Sequence, residues 1–273
     1  MLSINSNTTA SSIANLFNSV AADMATTSKR ISSGKRIVSA SDDPAGLGII
    51  STMKAQAGSY NAVQKNLSAG QSLLDVASSA LNSQQVLMIQ MKDVATQAAS
   101  DTLTANQRTA LQATFLELQT QLDQTANNAT MFGKNIISSA ATTVAIQSGI
   151  NAGNTYTINT AKSDATTLGV NAAAVDLTDV TKASAAMTAI DLAVAKIATN
   201  QSTIGAQQNG LTALVKNATN TQENLDTSIS RIEDVDMAAE SAELSQLQAK
   251  QQLTTSMLAI ANQMPSYILQ LIK

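Results

Sequence analysis

Apolar residues recur at alternating four- and three-residue steps along this 273-residue chain, and two of those series lie near its ends. Near the N-terminus the series is Ile13, Phe17, Val20, Met24, Thr27, Ile31; near the C-terminus it is Leu253, Met257, Ile260, Met264, Tyr267, Leu271. A mean step of 3.5 residues keeps one stripe turned toward a partner helix, which is the pattern of knobs-into-holes packing. Chain ends fray unless something ties them down, so sticky stripes at both ends predict a protein that assembles. Between them run Leu73, Ala77, Ala80, Gln84, Leu87, Met91, Val94, Ala98 and then Leu111, Phe115, Leu118, Leu122, Thr125, Ala129. The longest series goes from Ile190 through Val194, Ile197, Gln201, Ile204, Gln208, Leu211, Val215, Ala218, Gln222, Leu225 and Ile229 to Ile232. At about 1.5 Å per residue it spans roughly 60 Å, against about 48 Å across for a compact globule of this length. An elongated molecule is expected.

The punctuation between the stripes sets the elements. A first helix begins in the polar cluster Asn5 to Thr9 and runs toward Ser33, with Gly34 as its C-cap. Asp42 or Asp43 supplies the capping acceptor for a second helix whose first turn holds Pro44 and which continues to Ser100. A third helix covers Thr104 to Asn128 and ends at Phe132-Gly133-Lys134. Val144 and Ile146, then Tyr156 and Ile158, alternate with polar residues around the turn-rich segment Ser148 to Asn154, so a β-hairpin is expected there. About 45 residues bury little core by themselves, so this segment reads as a surface appendage. The stripe breaks phase at Asp236 and Glu243, placing a joint between Asp234 and Glu243.

The expected fold is mainly α: an elongated antiparallel helical hairpin, a coiled-coil rod with paired terminal helices and a small β-hairpin insert. Three divisions follow: residues 1–40 with 235–273 as a terminal coiled-coil domain, 41–137 with 183–234 as a helical rod, and 138–182 as the surface insert. An isolated two-helix tail has little partner surface, so its order is expected to depend on assembly.

Composition narrows the function. Aromatic residues are 2% and Trp is absent, so Ala, Leu, Ile, Val and Met fill the interior. With net charge -3 and few aromatics, neither a basic footprint nor a base-stacking platform for nucleic acid is present. The chain has no Cys and no His, which removes disulfides, thiolate metal sites, the commonest general base and the commonest metal ligand. No apolar run is long enough to span a membrane, and no basic stretch followed by an apolar core marks a cleaved secretory signal. Export, if it occurs, is expected by another route.

The candidate chemistry has ordinary explanations. Asp42 and Asp43 beside Pro44 read as helix caps, not as a catalytic pair. The acidic run Glu233, Asp234, Asp236, Glu240, Glu243 lacks the glycine and ligand spacing of a calcium loop. Lys29, Arg30, Lys35 and Arg36 suit the end of the first helix and make a partner for that acidic run. No phosphate loop, nucleophile elbow or cofactor box is present, so no enzyme activity, cofactor or metal is expected.

Specific motifs point further. Ile4-Asn5 with Asn7, Arg30-Ile31-Ser32-Ser33-Gly34-Lys35-Arg36-Ile37 and Ala40-Ser41-Asp42-Asp43-Pro44-Ala45-Gly46-Leu47 resemble the N-terminal signature of bacterial flagellins. Gly205-Ala206 with Asn209, Glu223-Asn224-Leu225, Ser230-Arg231-Ile232 with Asp234, Asp236, Met237 and Ala238, and Ala261-Asn262-Gln263 with Pro265 resemble its C-terminal half. The resemblance implies a secreted, self-polymerising filament subunit for swimming motility, with a short outward-facing insert of the alphaproteobacterial type. It implies export through the flagellar type III apparatus and, as partners, other copies of the chain, an export chaperone, the filament cap and the hook-associated junction proteins. Its assembly interface would include Ile13, Phe17, Val20, Met24, Ile31, Arg30, Asp42, Asp43, Arg231, Asp234, Asp236, Leu253, Met257, Ile260, Met264 and Leu271. Val38 and Ala69 depart from the family pattern, where Asn and Asp are usual. At the positions matching the stretch that an animal Toll-like receptor grips, this chain has Gln90, Asp93, Val94 and Thr114. Immunostimulatory relatives carry Arg and Glu where Gln90 and Thr114 stand, so weak receptor activation is expected.

Two other readings compete with this one. A surface protein holding a polysaccharide or glycan would have to use the insert, whose sole aromatic is Tyr156. A hook-associated junction protein shares such terminal helices but carries a larger middle, and the Ser-Ser-Gly and Ser-Arg-Ile motifs fit a flagellin better.

Overall fold

The computed structural model describes residues 6–271, with side chains as far as 264. Ile4 and Asn5 therefore lie outside the described residues, as do the side chains of Pro265, Tyr267 and Leu271. The described chain is 74% helical. Its elements are α1 (Thr8–Ser33), α2 (Pro44–Ala98), α3 (Ala105–Asn128), β1 (Val144–Gln147), β2 (Thr155–Ile158), the single turn α4 (Ala165–Leu168), α5 (Val180–Glu233) and α6 (Met237–Leu271). The fold is mainly α, with paired terminal helices and one small antiparallel hairpin, as the stripes predicted.

The caps explain the boundaries. The Asn7 carboxamide oxygen accepts from the Ala10 amide to open α1, and Gly34 closes it at φ 69, a left-handed conformation that costs a side-chain-bearing residue far more. Asp43 Oδ1 accepts from the Gly46 amide at 2.8 Å and caps α2, while Asp42 does different work in the loop before it. Thr104 and Gln107 form a reciprocal capping box at α3, and Asp236 accepts from the Ala238 and Ala239 amides at the start of α6.

Contacts divide the described chain into two compact units, one made of Met1–Ala57 and Asn224–Lys273, the other of Gly58–Glu223. In the first, α1 and α6 run antiparallel, with Asn7 beside Ala261 at one end and Arg30 beside Glu240 at the other. Their seam is buried at seven-residue intervals: Ile13, Val20 and Thr27 from α1, Leu247, Thr254 and Ala261 from α6. A small second cluster of Ile37, Ile50 and Ile229, edged by Leu47, Met53 and Ile232, closes beneath the loop after α1.

The second unit holds one continuous core. Ile190, Ile197, Ile204, Leu211 and Ala218 of α5 face Leu74, Ala77, Leu81, Met88 and Met91 of α2 and Phe115 and Leu122 of α3. The Gln positions that interrupt the α5 stripe all reach α2: Gln201 to Asn82 and Gln85, Gln208 to Asp75, and Gln222 to Gln64. Each Gln thus stays in the stripe because a polar partner meets it at the edge of the seam.

The 138–182 segment does not hang off this unit as an appendage. Ile158, Ala161, Ala165, Leu168, Val170, Val175 and Leu177 are all buried in the same core. Val144 pairs with Ile158 and Ile146 with Tyr156, and the hairpin lies over two glycines. A Cβ on Gly70 would fall 2.2 Å from Ile146 Cδ1, and one on Gly210 would fall 2.7 Å from the Tyr156 hydroxyl. Two missing side chains make room for this close approach.

Candidate functional site

The terminal pair and the loop-and-joint region beside it collect most of the residues that the sequence nominated. At one end the Asn7 amide uses both of its atoms, since Oδ1 caps α1 and Nδ2 donates to the Ala261 carbonyl at 2.7 Å. At the other, Glu233 is 7% exposed and meets two ammonium groups, Lys35 at 2.7 Å and Lys54 at 2.6 Å. Those hydrogen bonds hold the Glu233 carboxyl below the usual carboxylate range, and the same contact raises Lys35. Arg36 donates through its guanidinium to the Ile232 carbonyl and through its amide to the Glu233 carbonyl. The Val235 amide donates to the Gly34 carbonyl, and Lys35 bridges Asp234 in an isolated antiparallel pair. The basic loop and the acidic joint are one laced unit.

Asp42 organises the loop itself. Its Oδ2 accepts from the amides of Ser39 and Val38 and from the Ser39 hydroxyl, and these bonds lower its pKa. Asp234 accepts from the Ser230 hydroxyl at 2.6 Å, while the Arg231 side chain is exposed. Arg30 meets Glu240 only loosely, at 3.7 Å, with Nε buried and unpartnered. Among the described residues no three acidic side chains come together as an ion-holding group. Four carboxylates of the acidic run described above hold a cation of this chain, accept from a hydroxyl or cap a helix, and the fifth, Glu243, is exposed.

The C-terminal stripe does not take the intrachain contact. Leu253, Met257, Ile260 and Met264 do not face α1; they are 65%, 50%, 62% and 44% exposed. The face turned to α1 is one residue out of phase and carries Glu240, Leu244, Leu247, Gln251, Thr254, Leu258 and Ala261. Helix α6 therefore has two stripes at 3.5-residue spacing, and the smaller, more polar one packs within the chain. Small side chains allow the two backbones to approach closely. On α1 the stripe lies along the intrachain seam: Ile13 and Val20 are buried, and Phe17, Met24 and Ile31 are half-buried along the same edge.

Sequence reasoning missed Lys54 as the second partner of Glu233, because nothing in spacing links positions 179 residues apart. It also missed the inner α6 stripe, whose signal was there in Leu244, Leu247 and Leu258 but weaker than that of its neighbour. The four receptor-equivalent positions fall in the second unit: Gln90, Asp93 and Thr114 are exposed and Val94 packs at the core edge. No described helix is long and apolar enough to cross a membrane.

Comparisons agree with this architecture. Residues 4–142 match the model of the bacterial flagellin N-terminal helical region, and residues 187–272 match that of the C-terminal helical region. A flagellin of Halalkalibacterium halodurans is 34% identical, with 90% of each chain covered. The flagellin FljM of Caulobacter vibrioides is 32% identical over 99% of this chain and 98% of its own. Among solved structures, Bacillus cereus flagellin superposes with a TM-score of 0.50 at 28% identity, covering 56% of this chain and 88% of that one. A putative flagellar hook-associated protein from Vibrio parahaemolyticus has a TM-score of 0.58 at 15% identity, over 71% of this chain and 100% of that one, a likeness of fold alone.

Proposed function

The chain belongs to the bacterial flagellin family and is a structural subunit of the extracellular flagellar filament, and we propose that copies join through the outer stripe of α6. The observation that carries this is the row Leu253, Met257, Ile260, Met264, four large apolar side chains left open on a helix whose other stripe is already used. Burying such a side chain contributes about 1.5–3 kcal/mol, so one row contributes several. Association costs of order 4–15 kcal/mol in lost freedom, so one row against one neighbour is marginal and rows meeting several neighbours are not. That arithmetic favours a polymer over a dimer. The seam residues Ile13, Phe17, Val20, Met24 and Ile31 act one step earlier, by building the helix pair that presents the row.

Arg30, Asp42, Asp43, Asp234 and Asp236 shape the loop and joint beneath that pair, and Arg231, exposed beside them, can reach a neighbour. The same open row suits capture by an export chaperone before assembly. Passage through the type III apparatus, growth under a cap, and junction to hook-associated proteins complete the reading. Tyr156, on which a glycan-binding alternative would depend, is engaged against α5, its hydroxyl donating to the Gln207 carbonyl.

The test is a pair of substitutions on opposite faces of α6. Met257→Asp with Ile260→Asp should leave the monomer's helicity and unfolding midpoint unchanged and abolish polymerisation. Filaments of wild-type length from that variant would refute the reading.

A further inference from the structure

Three Phe residues serve the whole chain, and one of them, Phe132, is 72% exposed. It sits at the first central position of the tight turn Met131–Lys134, in which Met131 and Lys134 exchange both backbone hydrogen bonds. Its φ is 51, the one non-glycine positive value among the described residues, and Gly133 follows at φ 70. A turn with two left-handed residues favours Asn-Gly or Gly-Gly. An aromatic side chain there is strained locally and gains nothing from burial, and such outliers persist where a function uses them.

At the other end of α3 lies a recess of about 480 Å³ between the end of α2 and the start of α3. Its apolar wall is Leu103, Ala110 and Leu111, and its rim carries Gln97, Gln107 and Thr114. Asp101 beside it is 99% exposed, 4.0 Å from an Arg108 guanidinium that already donates to the Ala98 and Ser100 carbonyls. Lys134 is exposed next to Phe132 at the opposite end. From Leu111 on the recess wall to Asn128 at the end of α3, at about 1.5 Å per residue, is roughly 26 Å, so neither serves the other within one copy.

An open filament needs heterologous contacts, in which a surface on one copy meets a different surface on the next. We propose that the Met131–Lys134 turn is a knob that seats Phe132 in the α2–α3 recess of a second copy, with Lys134 against that copy's Asp101. This contact rests on the filament reading and adds to it a site built within the second unit. It also brings Thr114 under the neighbouring copy.

The chain has no Cys, so cross-linking of engineered pairs is clean. Three measurements on the full chain test the knob. Phe132→Gly should hold or raise the monomer's unfolding midpoint, because strain is relieved, and raise the critical concentration for polymerisation at least about tenfold. Lys134→Asp and Asp101→Lys should each weaken polymerisation, and the two together should restore it. Phe132→Cys with Leu111→Cys, oxidised after assembly, should give a ladder of linked copies, with at most a dimer from either single variant. Wild-type critical concentration for Phe132→Gly, no restoration by the double charge swap, or no ladder from formed filaments each overturns the knob while leaving the filament reading intact. A wild-type chain that does not polymerise overturns both.

Discussion

Glu233 shows how much a single carboxylate does in this protein. It is nearly buried, is held by Lys35 and Lys54, and has a backbone carbonyl that takes the Arg36 amide. Because its folded pKa lies below the ordinary value of 4.5, its contribution is complete above that value and is lost as pH falls through the lowered one. Lys35 is raised from 10.5, so its contribution is complete below that value and is lost as pH climbs through the raised one. A urea midpoint measured against pH should therefore sag at both ends. In Glu233→Gln the fall below pH 4.5 should shrink and the midpoint at neutrality should drop; an unchanged acid limb would show that Glu233 does not lace the joint. At the receptor-equivalent positions, Gln90→Arg with Thr114→Glu should raise receptor signalling by purified monomer in a reporter cell well above the wild-type response. No gain would show that those two positions do not limit receptor activation.

At the scale of elements, α6 explains what hydrophobic spacing can and cannot say. Leu253, Met257, Ile260 and Met264 announce a sticky face, and the sequence identified that face correctly as a stripe. Spacing carries no label for the partner, however, and the neighbouring series through Leu247, Thr254 and Ala261 took the intrachain contact. Its small and polar members lower its signal in sequence while favouring close packing in three dimensions. The seam can be probed directly: Leu247→Ala removes a side chain that is 4% exposed and should cost about 2–3 kcal/mol, near the low end for buried Leu because a two-helix seam relaxes easily. Thermal melts of the terminal pair should show that loss, whereas Met257→Ala should show almost none in the monomer. The caps at Gly34 and Asp43 were readable because capping chemistry is local. The burial of Leu168, Val170, Val175 and Leu177 was not, since their irregular spacing has no helix or strand period to betray an inward face.

For the whole molecule, family membership and the two-striped helix converge on one physical claim: the apolar face that α1 leaves uncovered on α6 is covered by other copies. The motifs around Arg30–Ile37 and Asp42–Pro44 made the family legible from sequence, and the structure supplies their reason: the first ties the loop to the joint through Glu233, Ile232 and Val235, and the second folds the loop and caps α2. The choice of intermolecular partners stayed hidden, because a single chain shows which surfaces are open but not what meets them. Electron cryo-microscopy of filaments grown from the purified chain tests the claim most directly. Leu253, Met257, Ile260 and Met264 should each lose most of their exposure to side chains of neighbouring copies. Filaments in which that row faces water along its length would contradict the account.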